Sequence, residues 1–174
     1  GKYISNLLKT KYVISTVSKD MVGIEYSSSL KNIYSIMVGI AHGLGYGDNF
    51  LSVLISHCSK EMGDFIKAIH KTNRKINDSA YLGDLLVTTY SSFSRNRTFG
   101  NMIGKGYSIN SAKVEMKMIV EGYYATKNAF ILSKKLSTKF LIIDICHKIL
   151  FENKSAYRQI EELSKKLYWR FKLL

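Results

Sequence analysis

Between Leu30 and Leu44 the apolar residues Leu30, Ile33, Met37, Ala41 and Leu44 fall at i, i+3, i+7, i+11 and i+14. That period marks one face of a long α-helix, which has to bury its stripe against other elements. The glycines of the run Gly43-Leu-Gly-Tyr-Gly-Asp-Asn49 end this helix and make a turn. A second helix is expected from about Phe50 to Ile69. The stretch from Ala112 to Leu136 also reads as helical, with an interruption at Gly122. Ile142, Ile145, Cys146 and Ile149 share one helix face; Ala156, Ile160, Leu163 and Leu167 share another, with Ser155 as its N-cap. Only residues 12–17 (YVISTV) have the β-branched and aromatic content of a short strand. The polar segments 71–79 and 91–98 read as loops. The fold expected is all-α and multi-helical over residues 19–174. Residues 1–18 are expected to be a short helix/strand remnant of another domain.

Composition narrows the function classes. At 174 residues, with 46 % hydrophobic and 22 % charged side chains, the chain is long enough to bury a core. No apolar run reaches the roughly 18 residues of a membrane span; one of the longest, Phe140-Leu-Ile-Ile143, is cut by Asp144. The N-terminus has no apolar signal core and reads as a cut into a longer protein. The net charge of +13 fits a phosphate or nucleic-acid surface, or simply lysines on every solvated face. The lysines are scattered, and the densest groups are only Lys134-Lys135 and Lys165-Lys166. Cys58 and Cys146 form no CxxC pair and are expected to be buried free thiols of a cytoplasmic protein. His42, His57, His70 and His147 lack metal-ligand spacing, so no metal is expected.

Two glycine patterns resemble phosphate loops and fail on spacing. Gly43–Asp48 runs G-x-G-x-G after a helix, whereas a dinucleotide loop runs G-x-G-x-x-G after a strand. Gly100-Asn-Met-Ile-Gly104-Lys105 is one residue short of a Walker loop and lacks the following Ser or Thr.

Three segments hold more chemistry. Lys31, in Leu30-Lys31-Asn32, borders the apolar stripe. It either snorkels to solvent or sits partly buried, where a lowered pKa suits proton transfer. Asp84, in Gly83-Asp-Leu-Leu-Val-Thr-Thr89, is either a helix N-cap or a partner for Lys31 and a substrate hydroxyl. Ser94-Arg95-Asn96-Arg97 is either a solvated basic loop or a forked clamp for a phosphate dianion.

In this order the segments resemble glycerol-3-phosphate dehydrogenase. The family pattern has a Val-Gly-hydrophobic-Glu run, then Leu-Lys-Asn, then a glycine-rich Gly-Asp-Asn turn. Here these are Val22-Gly-Ile-Glu25, Leu30-Lys-Asn32 and Gly43–Asn49. The Gly-Asp-Leu and Ser-Arg-Asn-Arg elements follow at Gly83 and Ser94. Val120-Glu121-Gly122 and Thr126-Lys127 come after them. The likeness covers about residues 12–163. It implies the substrate-binding, helical half of a two-domain oxidoreductase, similar to the 6-phosphogluconate dehydrogenase C-terminal-like fold. Its partner would be its own N-terminal Rossmann domain holding NAD or NADP, and the likeness leaves room for a homodimer.

By the same resemblance Lys31 would be the catalytic proton acceptor. Asn32 and Thr88 would line the site, and Asp84 would position Lys31 and the substrate hydroxyls. Ser94, Arg95 and Asn96 would bind the phosphate of glycerol 3-phosphate or dihydroxyacetone phosphate. Arg95, Ile119 and Glu121 would approach the cofactor. The reaction would take place in the cytoplasm and feed glycerophospholipid synthesis. Phe93 and Phe140 stand where the family usually has proline, and Ser27–Ser29 replace a glycine- and alanine-rich approach to the lysine. The chain also lacks the nucleotide domain and the lysine the family carries there, so it is expected to be inactive alone. Two other readings are a different 6-phosphogluconate-dehydrogenase-like hydroxy-acid dehydrogenase and a basic helical module that binds nucleic acid.

Overall fold

The computed structural model describes residues 1–171, with side chains through Leu167. Among these residues the regular structure is entirely helical: α1 (Lys2–Leu8), α2 (Met21–Gly43), α3 (Asp48–Ile69), α4 (Asp84–Tyr90), α5 (Arg95–Gly104), α6 (Ile109–Met116), α7 (Glu121–Lys135), α8 (Leu141–Phe151) and α9 (Ala156–Phe171). A π-helical turn, Ser79–Gly83, leads into α4.

Helix α2 is the axle of the fold. It packs against α3, α4, α5, α7 and α8. The spacing predicts one apolar face, but every residue from Ile33 to Ala41 is buried. A helix covered on all sides needs no polar face, and the sequence Ile-Tyr-Ser-Ile-Met-Val-Gly-Ile-Ala has none. Helix α3 is amphipathic, burying Leu51, Leu54, Ile55, Cys58, Met62, Phe65 and Ile66. It starts at Asp48, close to the predicted Phe50. The predicted apolar faces of α8 and α9 are buried through Ile142, Ile145, Cys146 and Ile149, and through Ile160, Leu163 and Leu167. Ser155 caps α9 with a long 3.5 Å contact from the Arg158 N–H.

Each end of α2 has a specific device. At the N-terminus the Asp20 carboxylate accepts from the Gly23 N–H, both arms of the Arg74 guanidinium and the Tyr81 hydroxyl. A Cβ on Gly23 would collide with this cluster. At the other end, α2 and α5 cross with their backbones in contact. A Cβ on Gly39 or Gly43 would overlap the carbonyl oxygens of Arg97 and Asn101. One on Gly100 or Gly104 would overlap those of Ile36 and Ile40. The Gly100–Gly104 pattern is therefore a helix-crossing surface, which accounts for glycines that a phosphate loop does not. The Gly43–Asn49 run is the expected helix end and turn, with Gly45 at φ +89°.

Three expectations need correcting. Residues 12–17 form no strand. A strand needs a neighbour to complete its ladder; among the described residues this segment instead bonds locally to Thr10, through the Tyr12 and Val13 N–H groups and the Val13 carbonyl, and to Ser5 through Ser15. The break in the 112–136 helix falls at residues 117–120, not at Gly122. Lys117 adopts the left-handed conformation (φ 51°) that ends α6, while Gly122 lies inside α7. Residues 95–98 are helical. Their polarity reads as loop because the apolar anchors of α5, Phe99 and Ile103, come a turn later.

No helix among the described residues is long and apolar enough to cross a membrane. Cys58 and Cys146 are buried free thiols, as expected. Burial pushes Cys146 up to about 12 and Cys58 well above its ordinary value.

Candidate active site

Lys31 and Asp84 come from elements 53 residues apart and meet directly. The Lys31 ammonium donates to Asp84 Oδ1 at 2.7 Å. The two side chains are 21 % and 38 % exposed, so the pair sits at the surface of the core, reachable from solvent. Asp84 is the first residue of α4, and its carboxylate is not an N-cap; the N-cap position is Gly83. The π-turn before it carries the chain from Tyr81, which is anchored on Asp20, to Asp84, which is anchored on Lys31. Thr88 lies one turn after Asp84 and donates its hydroxyl to the Asp84 carbonyl at 2.7 Å.

A second set of contacts starts from Asn32. Its Oδ1 accepts from Asn96 Nδ2 at 2.9 Å, and Asn96 Oδ1 accepts from the Gly122 N–H at 2.9 Å. Asn96 is 5 % exposed. Its carboxamide joins α2, α5 and the start of α7. A Cβ on Gly122 would run into the Asn32 carbonyl and Asn96 Oδ1, so glycine is required there. Next in chain to Asn96 and Gly122, Arg95 pairs with Glu121 across the same junction. That ion pair is exposed and contributes little to stability, so it is free to exchange for a ligand. Ile119 projects from the 117–120 segment, 68 % exposed, with no polar contact.

Ser94 is the N-cap of α5, its hydroxyl accepting from the Arg97 N–H at 3.3 Å. The N–H groups of Arg95 and Asn96 lie in the first turn, where a helix supplies no internal acceptor. Such a helix start attracts anions, and Arg95 adds a guanidinium whose partner in this structure is Glu121. Ser35 links this helix start to α4: it donates to the Thr88 carbonyl and touches the Ser94 hydroxyl, both at 3.0 Å. Sequence reasoning missed Ser35. A serine inside an apolar helical run was the only available signal.

The structure therefore gathers Lys31, Asp84 and Thr88 into one hydrogen-bonded set and Asn32, Asn96 and Gly122 into another, with the Arg95–Glu121 ion pair between their chain neighbours. Ile119 joins neither by a polar contact. The sets meet on α2, at Lys31 and Asn32. A groove of about 1010 Å³ along α3 and the 71–77 segment includes none of these residues; it is closed by Leu82 of the π-turn and by Leu86 and Tyr90 of α4. As for a nicotinamide cofactor, the exposed Ile119 side chain suits an apolar ring face. The Arg95 and Glu121 side chains suit phosphate and ribose hydroxyls. The donor set fits that group.

The Lys31–Asp84 pair and the capped start of α5 thus belong to one helical unit built around the buried α2. The chain belongs to the family described as NAD-dependent glycerol-3-phosphate dehydrogenase C-terminus, whose model matches residues 20–161. It is 37 % identical over 161 residues to a glycerol-3-phosphate dehydrogenase [NAD(P)+] of Fusobacterium nucleatum, covering 92 % of this chain and 48 % of that protein. The corresponding enzyme of Agathobacter rectalis is 38 % identical over 146 residues, covering 84 % and 44 %. A crystal structure of glycerol-3-phosphate dehydrogenase from Coxiella burnetii superposes with TM-score 0.88 at 30 % identity, over 93 % of this chain and 50 % of that one. The chain thus spans about half the length of the enzymes it matches. The membership displaces the nucleic-acid reading and that of a different hydroxy-acid dehydrogenase.

Proposed function

We propose that this chain is the substrate-binding half of an NAD(P)-dependent glycerol-3-phosphate dehydrogenase, interconverting sn-glycerol 3-phosphate and dihydroxyacetone phosphate. The observation that carries the reading is the 2.7 Å Lys31–Asp84 pair on the same helix face that holds the start of α5 through Ser35. A nicotinamide cofactor, when bound, would supply the hydride acceptor for the alcohol carbon. In this chain Lys31, once deprotonated, takes the hydroxyl proton of that carbon, and in reverse it returns the proton to the carbonyl oxygen. Asp84 holds the Lys31 ammonium in place and accepts from a neighbouring substrate hydroxyl. Thr88 shapes the same wall, and Asn32 lies beside Lys31. The segment Ser94, Arg95 and Asn96 receives the phosphate through its N–H groups and the Arg95 fork. Arg95, Ile119 and Glu121 face the cofactor.

The same reading assigns residues 1–18 to the junction with a nucleotide-binding domain and residues 19–174 to the substrate domain. The apolar residues Tyr3, Ile4, Leu7, Leu8, Tyr12 and Ile14 support this, because all are exposed and exposed apolar surface of this kind suits a partner domain. A cytoplasmic location, homodimerisation and supply of glycerol 3-phosphate to lipid synthesis complete the proposal.

The test is spectrophotometric. The chain joined to the nucleotide-binding half of the Fusobacterium nucleatum relative should oxidise reduced nicotinamide only when dihydroxyacetone phosphate is present, and the chain alone should not. A folded, cofactor-binding fusion without that activity would overturn the proposal.

A further inference from the structure

Ser35 lies on α2 one turn after Lys31 and is fully buried. Its hydroxyl reaches two elements at once, the Thr88 carbonyl and the Ser94 hydroxyl. The Thr88 carbonyl belongs to the last turn of α4, where a helix leaves its acceptors without internal donors. Ser94 caps the first turn of α5. One side chain therefore pins both ends of the 91–93 corner to α2.

The protons can be counted. A serine hydroxyl has one proton to give. That of Ser35 goes to the Thr88 carbonyl, which only accepts. The proton in the Ser35–Ser94 contact must then come from Ser94, whose oxygen in turn accepts from the Arg97 N–H. The Ser94 proton is committed inside the protein. The donors left for an anion at this corner are the Arg95 and Asn96 N–H groups and the Arg95 guanidinium. Lys31–Asp84 and Ser35–Thr88 are successive rungs between α2 and α4, each partner four residues beyond the last, and Ser35–Ser94 ties that ladder to α5.

We infer that Ser35 is a positioning residue that fixes the span between the Lys31–Asp84 pair and the anion-binding start of α5, and so the length of the phosphorylated alcohol the site accepts. The inference rests on the functional reading above. Its test compares two probes on the 174-residue chain by calorimetry, inorganic phosphate and glycerol 3-phosphate. Phosphate needs only the α5 end, whereas glycerol 3-phosphate must reach both ends. Ser35→Ala is expected to weaken glycerol 3-phosphate about tenfold and to leave phosphate within about twofold. Ser35→Cys, similar in size and a weak donor, should recover part of the loss. Equal loss for both probes, or no loss for either, overturns the inference. If Ser35→Ala fails to fold, the Cys variant carries the same comparison, with a smaller selective loss expected. Wild-type chain that binds phosphate but not glycerol 3-phosphate overturns the functional reading and the inference with it, and does so before any substitution is made.

Discussion

Two aspartate–cation pairs join α2 to the segment between Arg74 and Asp84, and they are built differently. Asp20 receives four donors, from Gly23, Tyr81 and two nitrogens of Arg74, whose side chain is 5 % exposed. The Arg74 guanidinium holds the Asp20 carboxyl well below the usual carboxylate range, against an opposing push from burial; Tyr81 and Gly23 add to the lowering. Asp84 receives one side-chain donor, Lys31, and a second oxygen stays open to a ligand. A saturated carboxylate is a fastening. A carboxylate with spare acceptor capacity, beside an ammonium with spare donors, is a place for chemistry. Asp20 caps α2 and Lys31 sits on it, which makes the two pairs controls for each other.

The sharpest test of that contrast is Lys31→Met. In the fusion enzyme it should lower turnover by about a thousandfold, since the group that moves the proton is gone. The melting temperature should shift little. A large melting shift with retained turnover would reverse the assignment of roles. Asp20→Asn should do the opposite. It leaves Arg74 nearly buried with a weakened partner and should cost about 2–3 kcal/mol in denaturant unfolding, with glycerol 3-phosphate affinity unchanged.

Acid should act on the same fastening. The folded pKa of Asp20 lies below its unfolded value, so its stabilisation is present above about pH 4 and is lost as pH falls further. Thermal unfolding of the wild type should therefore weaken below about pH 4. The Asp20→Asn curve should start lower and converge with it in acid. The smallest effect expected is for Arg74→Lys. It keeps the charge and loses the two-pronged geometry, for about 1 kcal/mol by the same unfolding measurement.

The long buried helix was legible from Leu30, Ile33, Met37, Ala41 and Leu44, because burial of an apolar stripe is a local pattern. The start of α5 was not. Ser94, Arg95, Asn96 and Arg97 are all polar, and what makes them helical is the cap at Ser94, the burial of Phe99 and the packing of Gly100 against α2. The strand expected at 12–17 failed for the complementary reason: its side chains suit a sheet, but pairing depends on a neighbouring strand, and the described residues include none. The site residues were named through motif order, while their contacts were hidden. Lys31 with Asp84, and Asn32 with Asn96, are separated by 53 and 64 residues, beyond any periodicity. Ser35 carried no motif at all. Its importance comes only from where α4 ends and α5 begins in space.

The glycine crossing of α2 and α5 also sets the tolerance of this machine. Where side chains meet, a gap is taken up by rotamers, and a change of volume on one surface is compensated on the other. At Gly39, Gly43, Gly100 and Gly104 peptide meets peptide, and there is no rotamer to adjust. The crossing behaves like a bearing without play. Drift elsewhere in the bundle cannot retune it, and the gauge between Lys31 and the α5 start inherits the stiffness of the main chain.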